Sequence, residues 1–317
     1  VKSLLDDGIQ FTKRIRFIFG TDEETLWRCM NRYNQIEEQA DLGFAPDSSF
    51  PLTYAEKGLL QVKLHGPGWD DLPLQAGQAL NVVPDKATYA GHRLEELLPV
   101  LDQSGVQYSQ TEDSVTVLGV SKHSKDAAEG VNAIVGLAES LSLIQPHPAL
   151  LFIADAVGED ATGEALFGRI TDEPSGDLSF NLATLVIDQE QSEIGIDIRI
   201  PVLADKDALV ARLQEIAASY QLEYEEFDYL APLYVPLDSS LVSSLMAVYQ
   251  EETGDKTPAM SSGGATFARI MENCVAFGAL FPGAEQTEHQ ANERAKIADL
   301  YAAMEIYREA IQRLATT

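Results

Sequence analysis

The sequence predicts an α/β layer fold interrupted by a long α+β insert, on three observations. Near the start, a strand, an acidic turn and a helix follow one another. From about residue 54 to about residue 232, strand-like and helical patterns alternate, and after the loop at 231–236 the chain turns helical again. The expected organisation is one domain built from residues 1–54 and 233–317, with residues 55–232 as the insert.

Each element has its own justification. Residues 1–8 read as the closing turns of a helix with Gly8 as C-cap. A helix met in its last turns, on a chain opening with Val1, leads to the expectation that the native start lies upstream. Residues 14–19 read as a strand that ends in the apolar run Phe17, Ile18, Phe19 of a buried sheet. A turn at Gly20-Thr21 leads into a helix over residues 22–38.

In the insert, strands are expected at 59–64, 79–83, 114–120, 182–187 and 194–202, and helices at 92–103, 125–143 and 205–220. The second of these helices carries Ala128, Val131, Ile134, Val135, Ala138 and Leu141 at helical spacing. A helix over 241–252 stops at Gly254. The last helix, 293–314, is expected to bury Ile297, Leu300, Tyr301, Met304, Tyr307, Ile311 and Leu314 on one stripe.

Composition narrows the function. Fifty acidic residues against 22 basic ones give a formal net charge of −28. That field repels phosphate backbones and anionic membranes and concentrates cations, although solubility alone would also account for it. No apolar stretch is long enough to cross a bilayer. The two cysteines, Cys29 and Cys274, lie in apolar sequence without a Cys or His at ligand spacing, which fits a reducing cytoplasm.

Three polar clusters stand at the ends of apolar elements. Thr21-Asp22-Glu23-Glu24 is either a capping box made by Thr21 and Glu24 or a pair of adjacent working carboxylates. Asp47 sits in the stiff turn Gly43-Phe44-Ala45-Pro46-Asp47, as a turn-former or a ligand. His289 precedes Asn292, a plausible N-cap of the last helix, and a helix N-terminus disfavours imidazolium and leaves a ring nitrogen able to bind metal. Together, two adjacent carboxylates, a third carboxylate and a His suit Zn²⁺ or Mn²⁺, and one of the adjacent pair can ligate while the other acts as base.

The order and wording of these motifs resemble the bacterial dipeptidases of the dipeptidase V type, relatives of carnosinase and aminoacylase among the two-zinc exopeptidases. The matching stretches are IRFIFGTDEETLWRCMNRYNQIEE, GFAPDSSFPLTYAEKG, LNVVPDKATY, VLGVSKHSKDAAEGVNA, SSGGATFARIMENCVAFG and HQANE, in family order along nearly the whole chain. The resemblance implies a zinc-exopeptidase-like catalytic domain, an α/β/α sandwich that is incomplete here, with the insert as an α+β lid.

It also implies roles. Glu23 is the general base, Glu24 and His289 ligate one zinc, and Asp47 ligates the other; Mn or Co are possible substitutes. His123 matches the lid histidine that stabilises the oxyanion, a position otherwise read as a polar loop residue. Arg199 matches the arginine that grips the substrate carboxylate. On its strand Ile194, Ile196, Ile198 and Ile200 face one way while Asp197 and Arg199 share the other, so a surface ion pair is the competing reading. Asn81, Gly264 and Ala265 are weaker substrate contacts, and His65, His92 and His147 match nothing catalytic.

Two features depart from the family. The His of its H-x-D motif and its bridging Asp have no counterpart in the sequence, and Ala265 replaces a third glycine after Gly263 and Gly264. The activity implied is hydrolysis of dipeptides by a water held between two zincs and activated by Glu23. Deacylation of N-acyl amino acids or a non-catalytic fragment are the alternatives. The partners implied are a small peptide substrate and neither nucleic acid nor membrane, with the long insert fitting the monomeric members of the family. Lacking two ligands, the chain as it stands is expected to bind zinc weakly or at one site and to be inactive, and to expose apolar surface around Phe17 and Phe19.

Overall fold

A computed structural model describes residues 1–24, 27–288 and 292–316. The chain divides into two compact units, Val1–Glu56 with Leu233–Thr317, and Lys57–Pro232.

The first unit opens with helix α1 (Lys2–Asp6), followed by Gly8 at φ 80°. Residues 14–19, expected as a strand, form none: Phe17 is 61% and Phe19 87% exposed. An apolar run becomes a strand only where another strand supplies its ladder. Here side chains hold the segment instead, with Arg14 and Arg16 reaching Glu38 and the Arg16 guanidinium donating to the Tyr33 hydroxyl.

Helix α2 (Arg28–Ile36) starts six residues later than expected. The capping falls to Asp22 rather than to a Thr21–Glu24 box: its carboxylate accepts the Arg28 and Cys29 amides at 2.8 and 3.2 Å. Strands β1 (Gly43–Ala45), β2 (Ser48–Ser49) and the fully buried β3 (Thr53–Glu56) complete the segment.

The second unit holds β4 (Gly58–Pro67), β5 (Leu74–Ala76), β6 (Lys86–Tyr89), α3 (Leu94–Ser104), β7 (Tyr108–Gln110), β8 (Val115–Leu118), α4 (Ala133–Ser142), α5 (Pro148–Leu151), α6 (Glu164–Phe167), β9 (Thr171–Asp172), β10 (Gly176–Asp177), β11 (Ser179–Ile187), β12 (Gln191–Ile200), α7 (Lys206–Ser219) and β13 (Glu223–Leu230). An antiparallel sheet runs in the order β13-β4-β12-β11-β5, and a smaller antiparallel sheet runs β6-β8-β7. Helix α4 is buried along almost all its length and packs against β6, β8 and β11, so it joins the two sheets in one core.

Two expectations fail here for local reasons. The helix expected over 125–143 is broken: a 3₁₀ segment, Ser124–Glu129, ends at Gly130, and Asn132 caps α4 by accepting the Ile134 and Val135 amides. The strand expected over 79–83 is a turn, because Asn181 donates its side-chain amide to the Leu80 and Val82 carbonyls and only Val82 bridges, to His123.

His147, 1% exposed, caps α5. Its Nδ1 accepts the Ala149 amide at 3.2 Å and its Nε2 donates to the Pro67 carbonyl at 3.0 Å. That pattern requires a neutral ring, and burial pushes its pKa down, against the pull of the Pro67 carbonyl. A His with a depressed folded pKa contributes stability that is complete above its unfolded value of about 6.5 and is lost as pH falls below it. Denaturation midpoints between pH 7.5 and 5 should therefore fall on the acid side, by up to about 1.4 kcal/mol per pH unit for this one proton. His147→Gln should flatten that part of the profile, and an unchanged slope would remove His147 as its source.

Returning to the first unit, the chain adds β14 (Leu233–Tyr234), α8 (Ser240–Thr253), β15 (Met260–Ser262), β16 (Cys274–Ala276), β17 (Ala279–Leu280) and α9 (Ile297–Thr316). The sheet runs β1-β16-β3-β14, with β15 also on β3 and β17 on β2. Phe44, Phe50, Tyr249, Phe277, Phe281 and Tyr307 form a connected ring cluster beside it.

The stripe expected on the last helix is wrong at its N-terminal end. Ile297, Leu300, Tyr301 and Met304 are exposed, and Ala303, Ile306 and Ala310 are buried instead. Helix α8 packs on α9, and small side chains on a helix let a neighbouring backbone approach, so a buried face need not be the most hydrophobic one. Asn292 does not cap this helix, which begins at Ile297.

Candidate active site

In the first unit, Glu23 and Glu24 lie on the turn that precedes α2. Two side chains shape this turn. The Asp22 carboxylate takes the first amides of α2 and a hydrogen bond from the Cys29 thiol, which together hold its pKa below the usual carboxylate range. The Trp27 indole donates to the Glu23 carbonyl and packs edge-on against Phe267 at 5.2 Å. Gly20 makes close packing possible, since a Cβ there would lie 2.2 Å from the Phe267 ring. Glu23 is half-buried and Glu24 exposed.

Asp47 is exposed in the connection between β1 and β2, which is pinned on both sides: the Phe277 amide donates to Ala45 and the Ser48 amide to Gly278. His289 lies outside the described residues. Its described flanks are tied together, with buried Thr287 donating its hydroxyl to the Arg294 carbonyl and accepting the Arg294 amide, both at 3.1 Å.

Two carboxylates and an imidazole fit a divalent ion by donor type. Among the described residues, no group of three or more His, Cys, Asp or Glu gathers in a way that could hold a metal.

Gly264 and Ala265 are half-buried in the loop after β15. The Gly264 amide is spent inside the loop, donating to Ser262 Oγ at 2.9 Å. A buried ion pair invisible to motif reading holds this loop. Glu56, at the end of β3 and 1% exposed, accepts from Arg269 Nε at 2.8 Å, the Thr266 amide at 3.1 Å and Thr266 Oγ1 at 2.8 Å. Arg269 Nη2 also donates to the Gly264 carbonyl at 2.6 Å. Burial pushes the Glu56 carboxyl up, opposed by Arg269 and Thr266, and burial next to it lifts the Cys274 thiol to about 12. The only sequence signal was an acid closing an apolar strand.

In the second unit, His123, Asn81 and Arg199 come together. The Ser124 amide donates to the Asn81 carbonyl at 2.9 Å, and Ser124 Oγ accepts from Arg199 Nη2 at 3.1 Å. Ser124 was missed by sequence reading. His123 Nδ1 accepts the Lys125 amide at 3.2 Å, which places the proton of the neutral ring on Nε2. The surrounding protein, then Arg199 and Lys125, lower the His123 pKa, against Asp197 and Asp126. The ring keeps solvent access.

The Asp197–Arg199 pair is not at the surface. Asp197 is 0% and Arg199 3% exposed, because both faces of β12 are covered. His65, set aside in the sequence, pairs with Glu225 on another part of the sheet.

A family model described as peptidase family M20/M25/M40 matches residues 1–313. A Bacillus subtilis protein named "Putative dipeptidase YtjP" is 34% identical over 99% of this chain and 72% of its own length. A Staphylococcus haemolyticus protein named "Putative dipeptidase SH1171" is 31% identical over the same shares. Among solved structures, aminopeptidase PepT from Bacillus cereus matches with TM-score 0.55 at 15% identity, covering 99% of this chain and 68% of its own. A tripeptidase from Staphylococcus aureus matches at 0.54 and 14%, covering 99% and 67%. At such identities these two structures speak for the fold alone.

Proposed function

The chain belongs to peptidase family M20/M25/M40, and from that premise we propose that it is a metal-dependent dipeptidase whose base is Glu23. The observation that carries the dipeptide reading is the pairing, within the insert, of a fixed guanidinium with an imidazole whose Nε2 is a donor. One suits a free carboxylate and the other an oxyanion.

Glu24, Asp47 and His289 are the residues that would hold the metal. Zinc, when bound, supplies a Lewis acid that lowers the pKa of water and polarises the peptide carbonyl. Glu23 takes the proton of the attacking water and returns it to the leaving amine. His123 is kept neutral by its lowered pKa, and donates its Nε2 proton as a hydrogen bond to the developing oxyanion. Arg199 holds the substrate carboxylate, and Asn81, Gly264 and Ala265 supply further contacts.

Residues 57–232 act as the lid and the remainder as the catalytic domain, in a cytoplasmic monomer. A guanidinium that reads the free carboxylate, held beside a donor for the oxyanion of the scissile bond, would favour substrates whose carboxylate lies one residue from that bond, as in a dipeptide. A panel of dipeptides and N-acyl amino acids tests this in the full-length protein, and faster turnover of acyl amino acids would overturn it. His123→Ala should lower kcat about 10²–10³-fold with little change in KM, because the oxyanion forms only as reaction proceeds. A change confined to KM would remove His123 from that role.

A further inference from the structure

Arg199 is held by more than its partner of opposite charge. Asp197, two residues earlier on the same face of β12, takes the guanidinium side-on, with Nε 2.6 Å from Oδ1 and Nη2 3.1 Å from Oδ2. Gln61, opposite Asp197 in the β4 register, donates Nε2 to the same Oδ2 at 3.0 Å. Ser124, 0% exposed, accepts from Nη2 at 3.1 Å. Ser179, opposite Arg199 in the β11 register, donates its hydroxyl to the Ser124 carbonyl at 2.6 Å. The Ser124 amide in turn holds the Asn81 carbonyl, and His123 is the preceding residue.

We infer that Asp197 and Ser124 are positioning residues that fix the plane of the Arg199 guanidinium and tie it to the segment carrying His123 and Asn81. The inference rests on the reading of Arg199 as the carboxylate-binding group.

The physical case has two parts. An arginine side chain has many rotamers, and recognition of a carboxylate by its planar fork needs one of them. A side-on carboxylate together with a hydroxyl on Nη2 sets that plane before substrate arrives, so less order has to be lost on binding. The sign of the effect separates positioning from simple electrostatics. Asp197 offsets part of the positive charge that attracts an anion, so removing its charge alone should tighten carboxylate binding. If its role is to aim the guanidinium, the same change should weaken binding.

The test compares a free dipeptide with its C-terminal amide on the full-length protein, measuring KM and kcat for wild type, Arg199→Ala, Asp197→Asn and Ser124→Ala. Arg199→Ala should raise KM for the free dipeptide by about 30-fold or more and leave the amide nearly unchanged. Asp197→Asn should raise KM for the free dipeptide about 10-fold, with the amide unchanged and kcat within about twofold. Ser124→Ala should give about threefold in the same direction. It carries the test if Asp197→Asn fails to fold, and an unchanged KM would then overturn the inference. Equal effects of Arg199→Ala on both substrates would overturn the underlying reading of Arg199. A selective Arg199→Ala effect, with Asp197→Asn unchanged or tighter for the free dipeptide, would overturn the positioning role alone.

Discussion

Glu23→Gln in the full-length protein is expected to remove about 10²–10⁴ of kcat while leaving metal content close to wild type. The change is well suited to isolating the carboxylate. The turn that carries Glu23 is shaped by the Asp22 side chain and by the Trp27 indole, which uses the Glu23 carbonyl. A neutral side chain of the same shape should therefore leave the turn and α2 in place. What disappears is the capacity to take a proton from water and pass it to the leaving amine, on which the proposed reaction depends twice. Glu24→Gln should instead lower metal occupancy, because an uncharged amide is a poorer ligand for a hard or borderline cation. Metal analysis beside steady-state kinetics reads both. Near-native turnover in Glu23→Gln would end its assignment as base, and full metal content in Glu24→Gln would end that of Glu24 as ligand.

Arg269→Ala should destabilise the protein by about 3–5 kcal/mol, since it strands the Glu56 carboxylate in the interior. Both partners are almost wholly buried, with Arg269 at 3% and Glu56 at 1% side-chain exposure, so solvent does little to screen the loss. The two hydrogen bonds from Thr266 remain but leave the charge uncompensated. Replacing both partners by apolar residues of similar volume removes the stranded charge, so Glu56→Leu with Arg269→Met should recover much of the lost stability. The loop at Gly264 should remain disturbed in that double variant, because Arg269 also holds the Gly264 carbonyl. Chemical denaturation of the wild type, the single variant and the double variant decides it. A single variant within 1 kcal/mol of wild type, roughly the range of an exposed pair, would show that the pair is solvated.

The sequence was most informative where a signal is local. Gly254 adopts the left-handed conformation that stops α8, φ 73°, and Gly8 does the same after α1. The helix expected over 205–220 is α7, with the Asp205 side chain accepting the Asp207 and Ala208 amides. Strand expectations at 59–64, 182–187 and 194–202 fall inside β4, β11 and β12. Motif order carried the family. The candidate site was partly legible: His123, Asn81 and Arg199 were singled out one by one, and nothing in their spacing announced that Ser124 joins them.

By itself the sequence determined an α/β fold with an α+β insert, membership of a peptidase family, and the residue types that could carry hydrolysis. Periodicity, caps and motifs act over a few residues, and one chain records them completely. The tertiary structure decided which of those residues are buried. It placed Asp197 and Arg199 in the interior rather than at the surface, buried Ala303 and Ala310 of α9 in place of Leu300 and Met304, and left Phe17 and Phe19 exposed, as expected of this chain, but without the strand expected over 14–19. Burial depends on what packs from elsewhere in the chain. A carboxylate and a guanidinium two residues apart read the same in sequence whether water or β4, β11 and Ser124 surround them, and only in the second case can they hold one fixed geometry.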